Sequence, residues 1–231
     1  MVSHRPKTSS RRSDIPDEVA GTPRRGGGPK TRERKKKRPL DEAALRDLAL
    51  SYAARFATTG AKLEAYLARK IRERGLAEDE DGRRVEPDIA ALAARLIELG
   101  YVDDDAYARG RSRDLTARGY GARRVEQALW AAGVEDEVRS DNAPGEAECR
   151  RAAILLAKKR RFGPFGAEAD TRGEAGADRA EAHKRRGKQV AAMLRAGHQY
   201  AHAAFILDAA HTNDIDAWLE EAEEDREEGR W

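Results

Sequence analysis

Residues 100–134 read GYVDDDAYARGRSRDLTARGYGARRVEQALWAAGV, and the spacing within this stretch decides the fold class. Asp103, Asp104 and Asp105 stand where short carboxylates cap a helix N-terminus and oppose its dipole. The helix they open is predicted to reach about Ala117, where Gly119-Tyr120-Gly121 breaks it. A further helix carries Val125, Ala128, Leu129 and Ala132 on one stripe. It stops at Gly133, the residue type that accepts the left-handed turn at a helix end. The pattern is that of short helices separated by glycine.

The same grammar extends in both directions. Toward the N-terminus, Asp41 caps a helix whose Leu45, Leu48, Ala49, Tyr52, Ala53 and Phe56 share a face, with Leu40 and Leu45 spaced as a hydrophobic staple. A break at Thr58-Thr59-Gly60 starts a second helix with Leu63, Tyr66, Leu67 and Ile71 inward and Gly75 as its stop. Pro87 opens a third, with Ile89, Leu92, Ala93, Leu96 and Leu99 inward and Gly100 beyond. Toward the C-terminus, residues 134–142 make a short sixth helix. A seventh runs from about Glu146 to Arg161 and ends at Phe162-Gly163-Pro164-Phe165. Val190, Met193 and Leu194 mark an eighth, stopped by Gly197; Tyr200, Ala204 and Leu207 mark a ninth. No alternating β-type run appears. The breaks at Gly60, Gly121 and Gly163, with the stops at Gly75, Gly133 and Gly197, repeat one unit: long helix, glycine turn, short helix, glycine stop, third helix. Stacking such thin units lets neighbours share apolar faces.

Composition agrees with a thin, surface-rich architecture. Charged residues make up 38% of the 231-residue chain, with 45 Lys+Arg against 42 Asp+Glu. An ordinary globular domain carries about 25%. Two Met, four Phe and three Trp leave the core to alanine and leucine, which argues against a β-sandwich or a large α/β enzyme. No apolar run approaches a membrane span of about 20 residues, and the first forty residues hold no apolar signal region. Cys149 stands alone, so no disulfide framework is available. A cytoplasmic monomer that needs no cofactor or metal is expected.

The near-zero net charge conceals a partition. Residues 1–39 are strongly basic and rich in Pro, Gly and Ser, and the acidic residues crowd into 214–231. The chain therefore divides into a disordered basic tail, 1–39; a first helical repeat, 40–102; a second, 103–144; a third, 145–210, with an insertion at 166–183; and an acidic tail, 211–231. The run Arg34-Lys35-Lys36-Lys37-Arg38 suits polyanions and implies weak attraction for nucleic acid. Gly28-Pro29-Lys30-Thr31 lacks the spaced glycines and preceding strand of a phosphate-binding loop.

Catalytic constellations are missing from the sequence: it holds no Ser/His/Asp motif and no HExxH. His198 and His202 are four apart, but no acidic or thiol ligand on the same turn completes a metal site. The basic residues are more informative. Arg109, Arg111 and Arg113 lie along the fourth helix, Arg118, Arg123 and Arg124 surround the turn after it, and Lys158, Lys159, Arg160 and Arg161 end the seventh. Arginine clustered near glycine turns suits phosphate or acidic protein, although lysine and arginine also complement a helix C-terminus. Trp130 lies off the apolar stripe and is either an edge-of-core residue or an exposed anchor.

The ordered string Gly100-Tyr101-Val102-Asp103-Asp104, Tyr107-Ala108, Arg118, Gly119-Tyr120-Gly121, Arg124-Val125, Leu129 and Gly133-Val134 resembles the central signature of the RecX regulators of recombination. The resemblance implies an all-α protein of three tandem three-helix repeats forming an elongated body, without enzymatic activity. It implies the RecA recombinase filament as partner, with RecA ATP hydrolysis, filament growth and strand exchange restrained in recombination, DNA repair and the SOS response. The basic tail and the insertion depart from the family pattern. The rival expectation is a helical protein of nucleoid or transcription-factor type that binds DNA directly.

Overall fold

The computed structural model describes residues 38–78, 81–84, 86–166 and 178–228. All regular structure among them is helical: α1 (Glu42–Ala53), α2 (Gly60–Arg74), α3 (Ile89–Glu98), α4 (Asp104–Ala117), α5 (Ala122–Trp130), α6 (Asp136–Asp141), α7 (Glu146–Arg160), α8 (Asp178–Arg195), α9 (Tyr200–Asp208) and α10 (Thr212–Glu228), with a 3₁₀ turn at Gly163–Phe165. The one extended pairing joins Leu40 to Leu76 and ties the entry of the chain to the end of α2.

Side-chain caps set several helix starts. Asp41 accepts from the Ala44 amide at 2.7 Å, Thr59 from Lys62 at 3.2 Å, Asp88 from Ala91 at 2.9 Å and Asp103 from Ala106 at 2.8 Å. Each satisfies an amide that has no partner inside its own helix. The third helix starts at Ile89, two residues later than Pro87 predicts, because Asp88 supplies the cap. Phe56, expected on the inward face of the first helix, lies beyond the end of α1 and is exposed.

Three buried clusters hold the chain together. Leu40, Leu45, Leu63, Leu67, Leu96 and Val102 form the first, among α1–α3. Leu115, Val125, Leu129 and Val134 dominate the second, among α4–α6. Ile154, Met193, Ile206, Leu207 and Ile215 dominate the third, which takes in α7–α10. A fully buried side chain of this size contributes about 1.5–3 kcal/mol, so each cluster alone is thin and the seams between them carry weight.

Two expectations at the C-terminal side are corrected. The insertion predicted at 166–183 gives way to helix by Asp178, where Ala-rich and charged helix-forming residues replace glycine; residues 167–177 lie outside the described residues. The acidic segment expected as a tail is α10, docked on α7. Ile215, Trp218, Leu219 and Ala222 follow i, i+3, i+4, i+7 spacing, and Ile215 and Ala222 are buried. Arg150 donates to the Trp218 carbonyl at 2.6 Å and to Glu221 at 3.0 Å, and its guanidinium lies 4.6 Å from the Trp218 ring centre. Arg151 pairs with Glu223. Charge counting conceals this stripe because its outer face is almost wholly carboxylate. Of the N-terminal tail, residues 1–37 lie outside the described residues.

Candidate interaction surface at the signature seam

The three consecutive aspartates do three different jobs. Asp103 caps its own helix. Asp104 reaches across to α2 and accepts the Gly60 amide at 3.0 Å, so a carboxylate of the second cluster caps a helix of the first. Burial raises the Asp104 pKa above the ordinary aspartate value, while the Gly60 bond works the other way. Asp105 accepts from Asn142 at 2.7 Å and pairs with Arg109. Side-chain capping of their own helix therefore holds for the first aspartate, while Asp104 and Asp105 lie in its first turn and oppose its dipole as the sequence implied. The same seam is closed by Thr59, whose hydroxyl donates to the Ala132 carbonyl, and by Lys62, which donates to the Tyr107 hydroxyl and lies 4.3 Å from that ring's centre. Gly133 adopts φ +74°, and a Cβ there would meet the Ala61 methyl at 2.3 Å.

The seam between α5 and the end of α8 is made largely of backbone. The Gly121 amide donates to Ala196 at 3.0 Å and the Arg123 amide to Gly197 at 3.2 Å. The N-terminus of α5, which has no side-chain cap, is thus capped by the C-terminal carbonyls of α8. A Cβ on Gly121 would lie 2.4 Å from the Gly197 carbonyl. His198, almost fully buried, meets the Gly119 carbonyl at 3.0 Å. A carbonyl only accepts, so His198 Nε2 carries the proton and Nδ1 is left as a buried lone pair with no partner. Burial lowers the His198 pKa, and the Gly119 bond opposes that shift.

Chemistry-bearing groups elsewhere are structural. His202 contacts Glu146 at 3.0 Å and meets Trp218 edge-on. Burial disfavours the Glu146 carboxylate, but Arg150 and then His202 outweigh it and hold its pKa below the usual range. Among the described residues no group of three His, Cys, Asp or Glu is placed to hold a metal ion. Burial pushes the Cys149 thiol up to about 11, which keeps it unreactive.

The basic residues divide by position. Arg111, Arg118 and Arg124 line one depression of about 390 Å³ with Lys62, Tyr107, Tyr120 and Gln127, and no carboxylate joins them. Asp114 pairs with Arg111 at 3.2 Å and Arg118 at 3.1 Å without lining that space. Arg118 and Tyr120 also line a second depression, of about 210 Å³, with Lys159 and Arg160. Signature residues Tyr107 and Arg124 thus converge with Arg111 and Arg118, and Arg118 is shared with the depression at the end of α7. Arg109 and Arg113 lie outside these depressions; Arg123 acts through its backbone, Lys158 sits against the Phe165 ring at 5.4 Å, and Arg161 takes the left-handed cap of α7 at φ 54°. Lys62 belongs to the surface although it is remote in sequence, and only the packing of α2 on α4 brings it there. Trp130 is 69% exposed, which removes the edge-of-core reading.

An all-helical protein, organised around capped, glycine-rich seams, is the class this geometry defines. No family model matches the chain. The regulatory protein RecX of Myxococcus xanthus is 33% identical over 192 residues, covering 80% of this chain and 96% of that protein. RecX of Mycolicibacterium smegmatis is 33% identical over 167 residues, covering 70% and 74%. The crystal structure of RecX from Lactobacillus salivarius superposes with a TM-score of 0.52 at 19% identity, over 72% of this chain and 96% of that one, and shares the fold. The chain belongs to the RecX family of regulatory proteins. The family is regulatory rather than enzymatic, and no described helix is long and apolar enough to cross a membrane.

Proposed function

We propose that the protein binds the RecA nucleoprotein filament as a cytoplasmic monomer and inhibits RecA ATP hydrolysis, filament extension and strand exchange in recombination and repair. The observation that supports this reading is family membership across most of the chain, joined to a cationic surface built on the signature seam itself. Arg111, Arg118, Arg124, Lys159 and Arg160 are the proposed contact groups, facing acidic filament surface. The three clusters are proposed to act as successive units that span neighbouring filament subunits, so that modest contacts add through effective concentration. Preference for one filament state then biases RecA away from its active cycle. The test is DNA-dependent RecA ATPase and strand exchange with the intact protein added. Inhibition at or below stoichiometric ratios is expected, weakened by Arg118→Ala and Arg124→Ala together; full RecA activity at a molar excess overturns the proposal.

A further inference from the structure

The extended pairing that ties the entry of the chain to the end of α2 uses only one of its two edges. The Leu40 amide donates to the Gly75 carbonyl and the Ala77 amide to the Leu40 carbonyl, each at 2.9 Å. In a parallel pair with that pattern, the amide and carbonyl of the intervening residue point to the opposite edge. That residue is Leu76, and neither group meets a backbone partner among the described residues. An unpaired edge of this kind is a template for another extended chain.

Leu76 also lines a depression of about 580 Å³ between the end of α2 and the starts of α1 and α3. The floor is apolar, with buried Leu40 and Leu45 flanked by half-buried Leu76, Ile89 and Leu92. The rim is acidic: Asp41, Glu42, Glu78, Glu86 and Asp88 outnumber Arg46 and Arg95. Both cations are already paired, Arg46 with Glu42 at 3.1 Å and Arg95 with Glu98 at 2.9 Å. Asp41 and Asp88 cap their helices and Glu78 pairs with Arg84 at 3.0 Å, but a carboxylate that accepts one such bond keeps further acceptor capacity. The sign is opposite to that of the two cationic depressions, which no carboxylate lines.

We propose that this depression docks an extended, basic and apolar segment of a partner protein, which adds as a strand on the Leu76 edge. The free amide and carbonyl of Leu76 match the donor and acceptor of another extended backbone, so main-chain bonds fix the strand. Its alternate side chains then divide, apolar ones to the leucine-rich floor and Lys or Arg to the carboxylate rim. That rim repels nucleic acid and acidic polypeptide, and a small organic cation would leave the edge unpaired.

The test contains neither RecA nor nucleic acid, so its outcome is separate from that of the proposed function. Fluorescence anisotropy of a labelled Lys-Val-Lys-Val-Lys-Val-Lys peptide is measured against the full chain. Saturable binding is expected, with the Glu-Val and Lys-Ser counterparts competing at least about tenfold more weakly. A strand presents alternate amides to one edge, so N-methylation of either the valines or the lysines should abolish binding while the other isomer keeps it. Glu78→Lys/Glu86→Lys should weaken binding about tenfold or more. The same reversal at two exposed carboxylates of α10, Glu224→Lys/Glu227→Lys, should leave it unchanged. Thermal unfolding of each variant separates lost binding from lost fold. No saturable binding, equal competition by the Glu-Val or Lys-Ser peptide, equal behaviour of the two N-methylated isomers, or a loss in the folded α10 variant that matches the rim variant overturns the proposal.

Discussion

The two seams that flank the α4–α5 pair are built from different materials. Between the first and second clusters, contact is made through side chains: Asp104 on the Gly60 amide, Thr59 on the Ala132 carbonyl, Lys62 on the Tyr107 hydroxyl. Between α5 and α8, backbone meets backbone, with Gly121 and Arg123 amides on the carbonyls of Ala196 and Gly197. Side chains rotate and yield by tenths of an ångström; two packed backbones cannot. The first seam is therefore a set of separable contributions, and the second is a single fit that depends on the absence of a methyl group at both Gly121 and Gly197.

Gly121→Ala should expose this difference most strongly. Its Cβ would meet the Gly197–His198 peptide, which has no side chain to move aside, so a loss of about 3 kcal/mol or more is expected in urea unfolding, of the size that overpacking against an unyielding neighbour produces. Gly133→Ala should cost less, about 2 kcal/mol, because the atom it meets is the Ala61 methyl. Adding Ala61→Gly should recover part of that loss and leave the part due to positive φ; the same second-site approach has nothing to offer at Gly121. If the two glycine substitutions cost the same and neither is rescued, the distinction between the seams fails.

Removing the cap with Asp104→Ala should cost about 1 kcal/mol, and Asp104→Asn should retain most of it because the amide oxygen still accepts from Gly60. Burial makes the folded state hold the Asp104 proton more tightly than the unfolded chain does. Ionisation therefore costs stability as pH rises through the carboxylate range, and this effect should vanish in Asp104→Asn, as measured by unfolding across pH 3 to 6.

The backbone seam has its own pH signature. His198 is kept neutral by burial, with a pKa below 6.5, and the nearby His202 reinforces this. The unfolded chain takes up the proton first on acidification, so this contribution is complete above about pH 6.5 and is lost as pH falls below it. His198→Gln should flatten the stability profile between pH 7 and 5. The smallest effect belongs to the surface: Arg124→Ala should change stability by less than about 0.5 kcal/mol, since its side chain is exposed and its bond to Gln127 is long, at 3.4 Å.

Legibility followed the range of the physics. Caps and glycine stops are local events, so Asp41, Thr59, Asp103 and Gly133 could be read in place. The α10 helix was hidden because nine carboxylates after residue 213 outweigh the four apolar residues of the stripe in any charge count, although their spacing carried the signal. Half of the candidate surface was legible as clustered arginine. Lys62 was not, because nothing in the chain near it announces which surface it joins.

By itself, then, the sequence determined an all-helical chain, the starts and stops of most of its helices, and its family, since backbone preference and apolar period act within a few residues. The tertiary structure alone decided which aspartate caps which helix, that Gly121 is required by a carbonyl 76 residues away at Gly197, and that cations from α2, α4, α5 and α7 line two depressions that share Arg118 and Tyr120. Those outcomes depend on contacts between segments distant in the chain, and such contacts exist only once the three thin cores have packed against each other.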